Sequence, residues 1–595
     1  MTRSLHRSAF AIVAPWFGCA LAITLTVTSA VQTAYAQAAP STAPAAPDQA
    51  NPTQPKEAPA APAKTPPASS EATKPSDAPK ATEAPAADTW GTGEPEGKSE
   101  ASTPVPQKPS EDLPSAGKAC PCPEGVLETH AGPAALRVRY TLEGVEVRGN
   151  TRTRARVVLR YVPFKIGDVF DVDDPEVELS RYRLLGTGFF RDVQFSLRKG
   201  SSRGFVVLVI DVVERNTIVL NDVRMGISAD ADSQGNARPL TAYAGLDVAE
   251  TNLLGTGITL GSAVAVAQDE YALRVRFLDP AFLGSSWMTS GTLLYNDARD
   301  FFGIADIEKF DPSGTSSSNS AVVNYKRFGG SLGVGRDLSI ATQFWLNYRL
   351  ESIDADYPLE ASQMRGFRTE PIDFAIVRGR SVLSTLRATL DYDTRDQPFL
   401  PTRGWKASFG AEVGLLPAAS DYEYQRIDVD ASHWWHLPWH DHVLRLELFA
   451  GAISGDAPFF EQYYVGDLSD FLPSRVLGVS FDRRPAPNFL GTDIVEVRYG
   501  KYAFKFSGEY RIPLFRGRRS IYGIDLFASA GIYGLAGDRD ITSPPVGYKG
   551  WSQIPLDLTG NLGFRMDTSA GGFVFAFSNA LGFVPIRGKG PAGGQ

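Results

Sequence analysis

Four of the six histidines, His433, His436, His440 and His442, fall within ten residues. Imidazoles so closely spaced can share a metal ion. The same stretch carries Trp434, Trp435 and Trp439 and reads as a turn between two strands. Tryptophan there suits the aromatic girdle where a membrane barrel meets water, so a girdle is preferred to a metal site. The only thiols are Cys19, Cys120 and Cys122, too few for a disulfide framework. A bond within Cys120-Pro-Cys122 would close a strained ring, and two thiols fall short of the four ligands of a structural metal site. Neither a Gly-Lys-Ser/Thr phosphate-binding loop nor a Gly-x-Ser-x-Gly nucleophile elbow is expected. Gly255, Gly257 and the run Gly329–Gly335 fit bulges and close strand approach better. The expectation is a protein with no cofactor, no metal and no catalytic centre.

The elements around these residues belong to several different kinds of segment. The chain has 595 residues, a formal charge of −8 and 43% hydrophobic content, enough for more than one domain. The mild acidity gives no reason to expect nucleic acid as a partner. Residues 1–36 read as a secretory signal, with Arg3 and Arg7 before an apolar stretch from Ala9 to Ala30 and Ala34-Tyr35-Ala36 before Gln37. A membrane-spanning anchor is the competing reading. Residues 37–136 are rich in Ala, Pro, Lys, Glu, Ser and Thr, and such a segment cannot bury enough apolar surface to offset the entropy of ordering it. It is expected to be a disordered tether. Beyond residue 36 there is no run of 18 apolar residues, so a chain that stays in a membrane must cross it with the strands of a closed barrel.

Residues 137–215 read as one small α+β unit. A strand over Tyr140–Gly149 precedes a helix over Thr151–Tyr161, a loop at Phe164–Phe170, and a second helix capped by Asp173 or Asp174 with Pro175 in its first turn. Phe189–Leu197 and Phe205–Val213 then alternate as a hairpin around Gly200–Gly204. The order is β-α-α-β-β.

From 217 to 595, segments of about ten residues alternate in polarity between turns. Trp405, Ala407, Phe409, Ala411 and Val413 oppose Lys406, Ser408 and Glu412. Tyr502, Phe504, Phe506, Tyr510 and Ile512 oppose Lys501, Lys505, Ser507, Glu509 and Arg511. Tyr271, Leu273, Val275 and Phe277 oppose Arg274 and Arg276. Charge on one face and aromatic residues on the other suit a hydrated lumen inside and lipid outside, because a charge facing mid-membrane lipid costs about 2–4 kcal/mol. The expected fold is a transmembrane antiparallel β-barrel of about sixteen strands, with the last strand within Gly572–Phe583.

Gly144-Val-Glu-Val-Arg-Gly-Asn150, Gly167-Asp168 and Leu185–Val193 make the small unit resemble a POTRA domain. Asn252-Leu-Leu-Gly-Thr-Gly257, Phe277-Leu-Asp-Pro-Ala-Phe282, and Asp391–Asp396 followed by Pro401–Gly404 resemble barrel signatures of the BamA/TamA superfamily, with Asp393, Arg395, Asp396 and Gly404 as matching residues. The resemblance implies a barrel whose first and last strands meet weakly and whose long extracellular loop folds back into the lumen. That loop is expected over Gly455–Thr492, with Arg475 and the displaced Gly478 in place of the family's Arg-Gly-aromatic tip. The family pattern sends Arg475 to a lumen carboxylate, here Glu509, with Ser529 on the next strand where an acid is usual. The Gly-rich tail, Arg587–Gln595, departs from the family's aromatic end. The resemblance implies an assembly factor of the outer membrane, its N-terminal domain in the periplasm, that templates client strands at the POTRA edge and the barrel seam. Its partners would be the lipid bilayer, unfolded barrel or exported polypeptide clients, and accessory periplasmic or lipoprotein subunits. A polypeptide transporter of the two-partner-secretion type is the alternative.

Overall fold

In the computed structural model the described residues are 139–577, apart from 172–173, 233–236, 303–306, 310–320, 360, 415–419 and 518. The expected signal, the tether, all three cysteines and the Gly-rich tail lie outside them.

The small N-terminal domain is a four-stranded sheet covered by two helices. Its strands are β1 (Arg139–Arg148), β2 (Val169–Asp171), β3 (Phe190–Lys199) and β4 (Phe205–Glu214), in the order β2-β1-β4-β3. The stretch expected as a loop therefore ends in a strand, since Val169, Phe170 and Asp171 pair with Thr141, Tyr140 and Arg139. Three residues are too few for an alternating pattern to show. Helix α1 (Ala155–Arg160) buries Val157 and Val158. Helix α2 (Pro175–Gly186) starts where the Asp174 carboxylate accepts from the Glu176 amide at 3.0 Å, with proline in the first turn. Leu142, Leu184, Phe190, Val193 and Ile210 close the core. Gly200-Ser-Ser202-Arg-Gly204 matches a nucleophile elbow letter for letter, but it is the turn of the β3–β4 hairpin. Without a following helix it cannot present Ser202 as an elbow does.

The second domain is one antiparallel sheet of fifteen strands curled into a barrel. The first five are β5 (Ile218–Ala231), β6 (Ala237–Leu253), β7 (Ile258–Ala267), β8 (Glu270–Asp279) and β9 (Trp287–Phe302). The next five are β10 (Ala321–Asp337), β11 (Thr342–Asp356), β12 (Gly379–Asp393), β13 (Gly404–Gly414) and β14 (Tyr424–His436). The last five are β15 (Val443–Gly455), β16 (Tyr502–Arg516), β17 (Ile521–Ala536), β18 (Leu556–Thr568) and β19 (Gly571–Ala576). Each pairs with the next. The expected sixteenth strand is not among the described residues. Turns such as β6–β7 and β12–β13 form the near rim, beside the N-terminal domain. The longer loops form the far rim, where Ile307–Lys309, Ala361–Arg365 and Arg368–Pro371 make a small separate sheet.

The pleat sorts the side chains as the alternation predicts. Phe328 and Leu332 of β10 are 64% and 74% exposed on the outer surface, whereas Tyr325 and Arg327, of the opposite parity, are buried inside. One outward row at the far end is polar: Tyr271, Asp297, Lys326, Asp354 and Arg380 stand opposite one another on successive strands. The next outward charge along β10 is Arg336. Ten residues at about 3.4 Å each, on a strand tilted by about 40°, make an apolar band roughly 25 Å tall, the height a lipid-facing belt requires.

Candidate functional site

Three features of the barrel bear on what it does: the loop in its lumen, the seam where the sheet closes, and the near rim. Residues 456–501, between β15 and β16, fold inward. Phe459, Tyr464, Leu468, Val479 and Ile494 are buried in one cluster with inward residues of the wall. A cavity of about 400 Å³ remains between the loop and the wall, lined in part by Arg274, Arg327, Arg349 and Arg475.

Arg475 is turned into the loop's own base. Its Nε donates to Asp467 Oδ2 at 2.8 Å, Nη1 donates to the Phe460 carbonyl at 2.9 Å, and Nη2 to the Gln462 carbonyl at 3.3 Å. The Asp467 carboxylate also accepts the Arg475 amide at 3.0 Å. The expected pairing with Glu509 is therefore not made. Glu509 is held by Arg565 of β18, whose Nη2 and Nε donate to Oε2 and Oε1 at 2.6 and 3.1 Å. A carboxylate–guanidinium fork of this kind leaves little capacity for a second arginine. Ser529 does stand opposite Glu509, and Asp525 lies farther along the strand beside Arg511 and Arg516. Gly478 follows Leu477 at the turn of a small hairpin in which Val476 and Val479 exchange both backbone bonds. Both turn residues have positive φ, 54° and 80°, so a glycine at the second position relieves strain.

The carboxylate that ties loop to wall is Glu461. It accepts from Arg349 of β11 at 2.9 Å, with Arg327 of β10 and Arg426 of β14 each at 3.8 Å. Those arginines are shared with Glu351, Glu412 and Asp428 of the wall, at 2.7, 3.0 and 3.1 Å. The Arg327 guanidinium also lies 3.8 Å from the centre of the Phe460 ring. The inward arginines and acids were legible from parity. Their gathering on Glu461, a loop residue with no periodicity, was not.

The loop also touches both sides of the seam. On one side Arg224 of β5 donates to Ser474 Oγ and to the Arg475 carbonyl, and Arg483 donates to the Asp230 carbonyl at 2.9 Å. On the other, Asp557 of β18 accepts the Phe489 and Leu490 amides at 3.1 and 3.0 Å, and Thr492 donates to the Leu556 carbonyl at 2.7 Å. The seam itself is thin. Fourteen antiparallel pairings leave β5 and β19 pointing the same way. Among the described residues, one backbone bond joins the two sides, from the Leu220 amide to the Ala570 carbonyl at 2.7 Å.

All three sequence signatures fall on the near rim, where they receive the N-terminal domain. In the β6–β7 turn, Asn252 Nδ2 donates to Thr153 Oγ1 at 2.8 Å and the Gly255 carbonyl accepts the Arg154 amide at 3.0 Å. Gly255 has φ 72°, and a Cβ on it would collide with the Arg152 carbonyl. In the β8–β9 turn the Ser285 carbonyl accepts from Arg160 at 3.4 Å. In the β12–β13 turn Arg395 forks onto Asp393, and Asp396 accepts from the Thr402 amide and hydroxyl at 2.8 and 2.6 Å. Gly404 has φ 106° and lies tight against the Thr394 carbonyl. Arg403 of the same turn pairs with Glu178 of α2 at 3.0 Å, and Asp337 at the end of β10 pairs with Arg183 at 3.0 Å. Glu214, at the end of β4, accepts from Thr151 Oγ1 at 2.6 Å and from the Arg152 and Thr153 amides at 3.0 and 2.7 Å. Burial raises its pKa, but these hydrogen bonds outweigh that and hold the carboxyl below its ordinary range.

The histidines sit on the near rim as well. His433 lies between the Trp405 and Trp435 rings, each centred 4.1 Å away, and Trp439 donates to Tyr510 at 3.2 Å.

These features define a class: a transmembrane β-barrel with a lumen-filling loop and a POTRA domain docked on its near rim. Comparison with known proteins gives the family. The model described as the Omp85 superfamily domain matches residues 252–484, and the POTRA model, surface antigen variable number repeat, matches residues 140–215. The chain belongs to the Omp85 superfamily, with the BamA/TamA-type proteins. It is 25% identical over 319 residues to the outer membrane protein assembly factor BamA of Neorickettsia risticii, covering 53% of this chain and 38% of that protein. It is 25% identical over 338 residues to BamA of Nitratidesulfovibrio vulgaris, covering 56% and 37%. It thus spans less than two fifths of the length of either relative. Among solved structures, BamA from Haemophilus ducreyi lacking POTRA domains 1-3 aligns with 76% of this chain and 82% of that one, at 16% identity and a TM-score of 0.39.

Proposed function

We propose that this protein is an outer-membrane assembly factor that lends strand edges to incoming β-barrel polypeptides. The observation that carries the reading is the seam, where two edges meet through a single backbone bond among the described residues. Unpaired backbone groups facing lipid are costly, so a client strand gains by pairing there. Strand β3, at the edge of the POTRA sheet, is a second such template on the way. Family membership and the names of the curated relatives support the same reading. Residues 1–36 would direct export, 37–136 would tether, and the POTRA domain would lie in the periplasm, where lipoprotein or periplasmic subunits can reach it. Arg475, Gly478 and the near-rim residues Asp393, Arg395, Asp396 and Gly404 would serve by shaping the loop and the docking turns. The lumen loop leaves little open passage, which favours assembly at the seam over transport through the pore.

The test is a Leu220→Cys/Ala570→Cys pair across the seam. Closing the disulfide should leave the barrel folded and abolish outer-membrane assembly, with recovery on reduction. Proteomics of outer membranes from the locked strain should show broad loss of barrel proteins. Loss of one secreted polypeptide alone would point to transport, and full activity with the bond closed would exclude a seam mechanism.

A further inference from the structure

The β12–β13 turn does more than receive the POTRA domain. It leaves the eighth and ninth strands of the sheet and reaches the far side of the near-rim mouth. Leu400 is buried against Gly523 of β17, where an added Cβ would stand 2.7 Å from Leu400 Cδ1. The Pro401 carbonyl accepts from Arg511 of β16. Phe399 goes farthest and packs on Gly572 of β19, the last strand, where a Cβ would lie 2.8 Å from Phe399 Cδ1. Its ring centre is 4.6 Å from the guanidinium of Arg215, the residue that links the POTRA domain to the first strand. Arg215 is itself nearly buried, pairing with Asp567 of β18 at 3.0 Å and donating to the Thr568 carbonyl at 2.5 Å. Phe399 and Arg215 thus meet at the foot of the seam. The root of the same turn is held from outside by α2, through Glu178 on Arg403 and the Tyr182 ring 5.4 Å from that guanidinium.

We propose that residues 397–401 are a bolt across the POTRA-side mouth, seated on the foot of the seam by Phe399 and kept there by helix α2. The shape of the turn is fixed by Asp396 and by the fork between Arg395 and Asp393, so it moves as one piece rather than unravelling. The Phe399 seat is small, one ring between a glycine and a guanidinium, and a cation–π contact of this kind is weak enough to be broken by a docking event. The grip of α2 is ionic and exposed, so an incoming chain or raised salt can loosen it. A POTRA domain that shifts on binding a partner would release Arg403, withdraw Phe399, and leave the foot of the seam, among the described residues, to Arg215 and one backbone bond. The bolt concerns the closed state itself and stands whether the seam serves insertion or transport.

A disulfide reports the seated bolt directly. The ideal Cβ position at Gly572 is 3.6 Å from Phe399 Cβ, within the separation a disulfide spans. The full chain carrying Phe399→Cys and Gly572→Cys should oxidise readily in membranes, as measured by gel mobility. Adding Glu178→Arg should slow that oxidation by about tenfold, equivalent to about 1.4 kcal/mol. Combining Glu178→Arg with Arg403→Glu should restore the original rate. Where the cysteine pair destabilises the barrel, Phe399→Ala in planar bilayers gives an independent readout, expected as more frequent conducting events than the parent protein shows. Failure to oxidise in a barrel that still migrates as folded, together with unchanged conductance in Phe399→Ala, would overturn the seat. Oxidation indifferent to Glu178→Arg would overturn the link to α2. Neither result bears on whether the seam disulfide of the previous section blocks assembly.

Discussion

The lumen loop and the seam are neighbours inside one barrel and are built on opposite terms. The loop is held by side chains from strands all around the wall, many of them charged and buried, with Glu461 at the centre of three arginines. Among the described residues the seam is held at its foot by one backbone bond and the Arg215 side chain. The loop nevertheless grips both β5 and β18, so the strong region braces the weak one from within. A barrel made this way can keep its wall intact while one line of it stays available. The difference lies in where the polar groups are satisfied: in the lumen by one another, whereas across the seam the described edge residues share one backbone bond.

Breaking the centre of the loop network should have the largest effect. Glu461→Gln leaves three arginines around a neutral group, and losing one partner of a buried ion network costs about 3 kcal/mol or more. The temperature at which the barrel loses its fast migration in unboiled gels should fall clearly, and the loop should become protease-sensitive. An unchanged transition would mean that the wall does not depend on the loop.

The second effect distinguishes the partner of Arg475. Arg475→Ala and Arg475→Lys should both loosen the loop, because lysine cannot reproduce the guanidinium's several directed bonds. Combined with Asp467→Asn, the loss should be markedly less than additive, with a coupling of about 1 kcal/mol or more. Combined with Glu509→Gln it should be additive within about 0.5 kcal/mol. Coupling to Glu509 instead would overturn the geometry of the loop.

A milder change is expected at the docking rim. Gly255→Ala forces a side chain into a positive φ and against the Arg152 carbonyl, a cost on the order of 1–3 kcal/mol. That cost should appear as faster proteolysis between the POTRA domain and the barrel, with the barrel's own melting little changed. The same junction should respond to acid. The Glu214 pKa is depressed in the folded state, so its contribution is complete above the unfolded carboxylate's pKa and is lost as pH falls through the folded value. Wild-type protein should loosen at the junction below the ordinary carboxylate range, whereas Glu214→Gln should be looser at neutral pH and less sensitive to acid, as limited proteolysis across pH would reveal. The smallest effect belongs to the outer row, where Lys326→Gln removes an exposed pair with Asp297 worth less than about 1 kcal/mol.

Much of this arrangement was legible in the residues themselves. In a strand, parity alone assigns a face, so Phe504, Phe506 and Tyr510 are outward and Ser507, Glu509 and Arg511 inward before any neighbour is known. Asp174-Pro175 marks the start of α2 for an equally local reason. The signature turns were visible as motifs, although nothing in them says that they meet the POTRA domain. Tertiary structure alone decided who pairs with whom. Glu509 finds Arg565 because β16, β17 and β18 lie side by side in one register, and Arg475 finds Asp467 because the loop doubles back on itself. Phe399 reaches Arg215 and Gly572 only because the sheet closes and brings its last strand around to the first. Alternation is a property of one chain segment and its solvent; ion pairs between distant segments depend on curvature, register and closure, which no window of the sequence contains.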